Sequence, residues 1–239
     1  MSPTVSPSLD NSRAYRAFED TAPAKPLAER AYPGLHNEIQ DQVLKHVRTR
    51  GPLLDLACGT GAWLSRLQQH GFSDVLGTDR DEASFELDRA NFVPSNLDKP
   101  FAETIGRTFD VITAIEIIEH VESPADFLRE ARKLINPCGH MFVTTPNVEC
   151  IQSRLRFLLK GRLRAFEDDG SADPTHISPL FTSLLPRLTT RSGWKIDERI
   201  DLLKDTSRPA VRLFCNLLSP FLKGDAKQGD CHLFVLRPI

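Results

Sequence analysis

The 239 residues carry 30 Lys+Arg against 32 Asp+Glu, a formal net charge of −2. Such balance supplies no strong basic field to steer the chain toward nucleic acid. No apolar run reaches the ~20 residues needed to span a bilayer, and no signal-peptide pattern opens the chain. The length suits one large α/β domain. The five cysteines, Cys58, Cys138, Cys150, Cys215 and Cys231, form no C-x-x-C pair and no zinc spacing, and read as reduced thiols in a cytoplasmic protein.

In chain order, residues 1–30 are expected to be a disordered leader: Pro3, Pro7 and Pro23 punctuate a stretch with little apolar periodicity. From Gly34 to Val47, Leu35, Ile39, Val43 and Val47 recur at helical spacing. Leu53 to Leu56 reads as a first strand, 74–78 as a second, Phe92-Val93 as a short third, 109–115 as a fourth and 140–145 as a fifth stopped by Pro146. Between the last two, Ser123 can cap a helix with Pro124 in its first turn; Phe127, Leu128, Ala131, Leu134 and Ile135 form its stripe, and Asn136-Pro137 ends it. An insertion of about 148–179 follows, then a helix over 180–191, a sixth strand over 194–200, an apolar segment over 211–222 and a last strand over 232–236. Alternating strands and helices with right-handed crossovers imply a doubly wound, mostly parallel sheet.

The most informative residues are Asp55-Leu56-Ala57-Cys58-Gly59-Thr60-Gly61, where an apolar strand ends in an acid, turns through Gly-x-Gly and resumes as a helix. Glycines let the backbone approach a ligand with no Cβ in the way, and the N–H groups that open the helix suit a carboxylate. A dinucleotide fingerprint wants a third glycine where this chain has Leu64, which disfavours nicotinamide and flavin cofactors. The string D-L-A-C-G-T-G resembles motif I of the class I S-adenosylmethionine (SAM) methyltransferases, with Ala57 in place of that motif's first glycine. The resemblance implies a Rossmann-like sheet of seven strands, the last antiparallel, spanning 31–239 with a helical lid inserted after strand five. It also implies SAM as cofactor, bound by Asp55, Ala57, Gly59, Gly61 and Ile115.

Asp79 stands twenty residues beyond Gly59 at a strand end, where a carboxylate can accept from both ribose hydroxyls. The string Ser95-Asn96-Leu97-Asp98 resembles the family segment whose acidic residue accepts from the adenine amino group. Asn96 holds that position here, beside Leu97, and its side-chain oxygen can still accept.

After the fourth strand comes Glu116-Ile117-Ile118-Glu119-His120. In open α/β sheets the ligand crevice lies beyond the carboxyl ends of the strands, so this string should face the reacting methyl. If the stretch is helical, Glu116, Glu119 and His120 share a face. The E-x-x-E-H string resembles that of the ubiquinone-biosynthesis O-methyltransferases and of small-RNA 2′-O-methyltransferases. The resemblance implies Glu116 at the cofactor, and it leaves two schemes open. In one, His120 with Glu119 supplies acid–base catalysis. In the other, Glu116, Glu119, His120 and a later histidine, for which His176 is the candidate, hold Mg²⁺, Mn²⁺ or Zn²⁺.

Within the insertion, 153–164 interleaves Arg154, Arg156, Lys160, Arg162 and Arg164 with leucines and Phe157, without an acid. It reads either as a lid helix whose apolar face closes the site, or as a peripheral membrane contact. The acidic run at 167–169 reads as a solvated loop. The acceptor expected is a small or amphiphilic metabolite with an oxygen nucleophile, such as a quinol, a phenol or a sugar hydroxyl. The alternatives are a metal-dependent RNA 2′-O-methyltransferase and a non-catalytic SAM-binding protein. The sequence leaves the oligomeric state open.

Overall fold

A computed structural model describes residues 27–166, 176–203, 209–224 and 228–239. Most of the expected leader and the acidic run at 167–169 lie outside the described residues. Helix α1 (Leu35–His46) leads into β1 (Leu53–Leu56), α2 (Ala62–Gln69), β2 (Val75–Asp79) and β3 (Phe92–Pro94). Then come α3 (Ala102–Ile105), β4 (Phe109–Ala114), α4 (Pro124–Leu134), β5 (Ile135–Pro146) and α5 (Ile151–Lys160). The chain closes with α6 (Leu185–Arg191), β6 (Trp194–Leu202), α7 (Pro209–Leu218) and β7 (Cys231–Pro238).

The seven strands form one sheet in the order β3-β2-β1-β4-β5-β7-β6. β7 runs antiparallel to β5 and to β6, while the pairs from β3 across to β5 are parallel. The expected α/β architecture is therefore present, with its single reversed strand inserted between β5 and β6.

Strand alternation divides the core in two. Leu53, Val111, Phe142, Leu233 and Val235 meet α1 and α2 on one face, through Leu35, Ile39, Val43, Trp63, Leu64 and Leu67. Leu54, Leu56, Ile112, Met141, Phe234 and Leu236 meet α3, α4 and α6 on the other. The α4 stripe is as expected: Phe127, Leu128, Ala131 and Leu134 are buried, and the Ser123 hydroxyl accepts from the Asp126 N–H at 3.3 Å. Trp194, fully buried, donates its indole N–H to the Leu128 carbonyl at 2.8 Å and locks β6 to α4. Truncating a tryptophan in such a place costs about 3–5 kcal/mol.

Several boundaries differ from expectation for physical reasons. β5 begins at Ile135, immediately after α4, because Asn136-Pro137 is absorbed into a bulge where the β4–β5 register shifts, and does not form a loop. The helix expected from 180 starts only at Leu185, with Pro186 in its first turn, the place where a missing N–H is harmless. Gly161 ends the inserted helix. It takes a left-handed conformation (φ +68°), and its N–H closes the last turn on Phe157 O at 2.8 Å.

Candidate active site

The β1–α2 loop is built from left-handed residues. Ala57 has φ +65°, Gly59 +53° and Gly61 +86°. A Cβ at Gly61 would lie 2.9 Å from the Leu87 side chain, so this glycine is required by space as well as by conformation. Ala57 occupies the same backbone region with a Cβ, a strain the sequence alone did not reveal. The Thr60 hydroxyl donates to the Ala28 carbonyl at 2.8 Å. Residues 27–30, expected to belong to the leader, thus pack onto the loop. Glu29 pairs with Arg66 at 2.6 Å, and Arg30 borders Gly59.

Asp79, at the end of β2, is held by two main-chain donors: Gly59 N–H at 2.9 Å and Asp81 N–H at 3.0 Å. Its carboxylate is thereby fixed at the mouth of the loop. Asp55 lies beneath, buried, and accepts from the Thr113 hydroxyl at 2.7 Å; Thr113 in turn accepts from the Trp63 indole at 3.1 Å. Burial first, and then the charge of Asp79, push the Asp55 carboxyl up to about 7. Burial, with Asp55 and Asp79 adding to it, also pushes the Cys58 thiol far above its usual range, so Cys58 is inert filler. Its sulfur would be 2.6 Å from a Cβ at Gly77, so the two positions share one space.

A cavity of about 140 Å³ opens over this loop, lined by Asp55, Ala57, Gly59, Asp79, Ile115 and Glu116 among the expected residues. Asn96 and Leu97 are not among its walls. Asn96 is exposed and accepts from Asp98 N–H at 3.0 Å, while Leu97 packs into the core beside Ala57. Asp98 is occupied by the Glu122 N–H at 2.8 Å. Sequence reasoning missed His36, Trp63 and Thr60, which also line the cavity. A polar residue on the buried stripe of α1 (His36) and another inside the apolar run of β4 (Thr113) were the available signals. His36 is buried, tilted against Trp63 with ring centroids 5.2 Å apart, and lies 3.3 Å from Glu29. Burial holds its imidazole below the usual value against the pull of Glu29.

The Glu116–His120 stretch forms turns, not the helix that would have placed its three polar side chains on one face. Glu116 adopts φ +51°, strained for a residue with a Cβ. Its N–H donates to the Thr144 hydroxyl at 2.9 Å, and its carboxyl accepts from Thr144 and from the Cys231 thiol at 3.2 and 3.3 Å. Thr144 and Thr145 are neighbours on β5 and point to opposite faces of the sheet. Glu116 sits with Thr144, whereas Thr145 lies beside Glu119.

Glu119 is wholly buried, and neither carboxyl oxygen has a hydrogen-bond partner among the described residues. Its carboxyl is pushed well above the usual range by burial and then by Glu116. One ligand atom each of Glu119, His120 and His176 lies within 4.8 Å of the others. The His120 and His176 rings meet edge-on at 4.5 Å, and His176 Nε2 is 3.9 Å from Glu119. Burial and then His120 hold His176 below its usual range. Of the four expected metal ligands, the structure brings together Glu119, His120 and His176 and leaves Glu116 apart.

A second cavity of about 120 Å³ lies on the far side of Glu116. Tyr32, Asn147, Arg164, Ala165, His176 and Cys231 contribute to its walls. Glu116 lines both cavities. The inserted α5 does not close this site with its apolar face: Phe157, Leu158 and Leu159 point outward, and the segment reaches the second cavity through Arg164, paired with Asp230, and Ala165.

A family model described as a methyltransferase domain matches residues 28–198. The chain belongs to this methyltransferase family. Among curated relatives, a ubiquinone biosynthesis O-methyltransferase from Stutzerimonas stutzeri is 29% identical over 143 residues, covering 56% of this chain and 59% of that protein. The chain spans about half the length of the curated relatives it matches. A SAM-dependent methyltransferase from Archaeoglobus fulgidus superposes with a TM-score of 0.56 at 15% identity, over 85% of this chain and 94% of that one. The [4+2]-cyclase SpnF has the same fold, with a TM-score of 0.55 at 16% identity over 84% and 81%. The fold alone therefore leaves the reaction to the site.

Proposed function

We propose that this protein transfers a methyl group from SAM to an oxygen of a small or amphiphilic acceptor. The observation that carries the reading is Glu116, which stands between a cavity over the Gly-x-Gly loop and a second cavity beside His176. SAM in the first would have its ribose at Asp79 and its methyl directed past Glu116. An acceptor in the second would meet that methyl in line. Holding the two reactants so supplies a large part of the acceleration of a displacement. The acceptor oxygen attacks the methyl carbon as the carbon–sulfur bond breaks, S-adenosylhomocysteine leaves, and the acceptor proton passes to His120, an exposed imidazole whose ring meets that of His176 in the wall of the second cavity. The relatives' name supports an oxygen acceptor. The near-neutral charge does not favour an RNA acceptor.

The test is calorimetric titration of the full chain with SAM and S-adenosylhomocysteine, followed by incubation with methyl-labelled SAM and fractionated cell extract. Binding of both nucleosides and label in an ether-linked methyl of a small molecule are expected. Absence of binding, or label recovered only in RNA, would overturn the reading.

A second reading concerns a divalent ion. A buried carboxylate without hydrogen bonds beside two imidazoles is a donor set that fits Mn²⁺ or Zn²⁺. Glu119, His120 and His176 would hold it, and such an ion lowers the pKa of a bound acceptor hydroxyl. Titration of Mn²⁺ and Zn²⁺ into the chelator-treated protein and into Glu119→Gln tests it. Equal, negligible heats in both would leave His120 alone as the base.

A further inference from the structure

Residues 28–32 touch both cavities. Ala28, Arg30 and Ala31 line the one over the Gly-x-Gly loop, and Tyr32 lines the one beside His176. The segment lies outside any helix or strand and is fastened by individual contacts. The Thr60 hydroxyl donates to the Ala28 carbonyl at 2.8 Å, and the Tyr32 carbonyl accepts from the Leu35 N–H at 3.0 Å. Glu29 pairs with Arg66 at 2.6 Å and lies 3.3 Å from the His36 ring. Glu29 is not among the described walls of either cavity, so it acts on the segment alone.

Charge gives this strap a reason to respond to the cofactor. The described walls of the first cavity hold three carboxylates, Asp55, Asp79 and Glu116, and one permanent cation, Arg30. The Arg30 side chain crosses Gly59, where a Cβ would lie 3.4 Å from it, and its guanidinium stands 4.0 Å from Asp81. Both side chains of that pair are more than half exposed, and ion pairs so long and so wet hold weakly. The amino-acid end of SAM brings a carboxylate, the partner that suits a guanidinium best. A contact made only with the strap seated gives the ligand a higher affinity for the seated state, which is what a ligand needs in order to shift a conformation. Tyr32 is two residues beyond Arg30, within about 7 Å along the chain, so placing one places the other.

We propose that residues 28–32 are a strap seated by the cofactor, and that Tyr32 is an acceptor-binding side chain that completes the second cavity only once the SAM carboxylate has engaged Arg30. Binding is then ordered, with the cofactor first. This coupling rests on the cofactor reading above and adds to it the residues that tell the acceptor cavity whether the cofactor cavity is filled.

Cys231 reports on the strap without any acceptor, because its thiol is a buried wall of the second cavity and is modified only when that wall opens. The full chain is treated with iodoacetamide, with and without saturating S-adenosylhomocysteine, and each cysteine is followed by peptide mass spectrometry. Exposed Cys138 is the reference. Affinity for S-adenosylhomocysteine is measured in parallel by calorimetry. The nucleoside should slow modification of Cys231 by about fivefold or more and leave Cys138 unchanged. 5′-Methylthioadenosine, which lacks the amino-acid end, should bind without slowing it. Tyr32→Ala should bind S-adenosylhomocysteine within about twofold of the parent yet lose the protection, whereas Tyr32→Phe should keep it. Tyr32 is 43% exposed, so the thermal midpoint should hold in both. Glu29→Ala should weaken S-adenosylhomocysteine by about three- to tenfold and speed modification of Cys231 in the free protein. Protection that persists in Tyr32→Ala would mean that the nucleoside itself covers the thiol, and would overturn the proposal. Equal protection by 5′-methylthioadenosine would do the same. Binding of S-adenosylhomocysteine with no change at Cys231 would remove the strap and leave the cofactor reading standing, while absence of binding would remove both.

Discussion

Ala57→Gly isolates the one position where the cofactor loop carries a Cβ in left-handed backbone. Ala57 has φ +65°, between the strand end at Leu56 and the glycines at 59 and 61. Holding an L-residue there costs roughly 1–2 kcal/mol relative to glycine. Glycine adds freedom to the unfolded chain, which removes roughly 0.4–1 kcal/mol of that gain. The net expectation is a stabilisation of about 0.5–1 kcal/mol. In a domain of this size that raises the thermal midpoint by about 1–4 °C. Ala57 also lines the first cavity, so the substitution removes a methyl from its wall and should tighten SAM binding. Ala165, with φ +67°, lines only the second cavity and is the control: Ala165→Gly should stabilise to a similar extent without altering SAM affinity. Urea unfolding and calorimetric titration read both quantities. A lower stability for Ala57→Gly would show that backbone strain does not govern this loop, and equal SAM effects from both variants would show that the gain is not local to the cavity.

Asp55 gives a pH signature. Its carboxyl, near 3.8 when unfolded and about 7 in the folded chain, keeps its proton longer in the native state. Between these values the native state binds more protons than the unfolded one, so this group's contribution to stability falls as pH rises from about 4 to 7, by up to about 4 kcal/mol. Asp55→Asn should abolish that component; parallel stability–pH curves for the two proteins would contradict it. Asp79→Ala should weaken SAM binding by about 10–100-fold, the scale of a charged hydrogen-bond pair, and unchanged calorimetric affinity would remove Asp79 from the ribose site. His120→Ala should lower single-turnover rates by about 10²–10⁴-fold with SAM affinity unchanged, and a fully active variant would exclude it as the base.

What could be read from the sequence and what could not divide along physical lines. The succession of strands and helices and the cofactor loop were legible because alternation, capping and Gly-x-Gly are local consequences of backbone sterics. Glu116, Glu119 and His120 were legible as a string but not as an arrangement. Their spacing promises a shared face only in a helix, and the chain turns there, supported by Thr144, Cys231 and the Ser178 backbone. His36 reaches the cavity through tertiary packing that no spacing in the sequence encodes. The direction of α5's apolar face stayed open between two readings because an amphipathic pattern specifies that a helix has two faces, and not which of them meets the protein.

The paired threonines at 144 and 145 bear on how this chain can change in length. Each stands beside a different carboxylate only because β5 keeps its present count of residues between the bulge and its end. An insertion or deletion within 140–146 would turn Thr144 toward Glu119 and Thr145 toward Glu116, exchanging their neighbours without altering any side chain. The bulge at 136–139, where the register already slips, is the place that can absorb such an event. Length variation in this strand should therefore be confined to its beginning, leaving its last residues numerically fixed to the turn that carries Glu116.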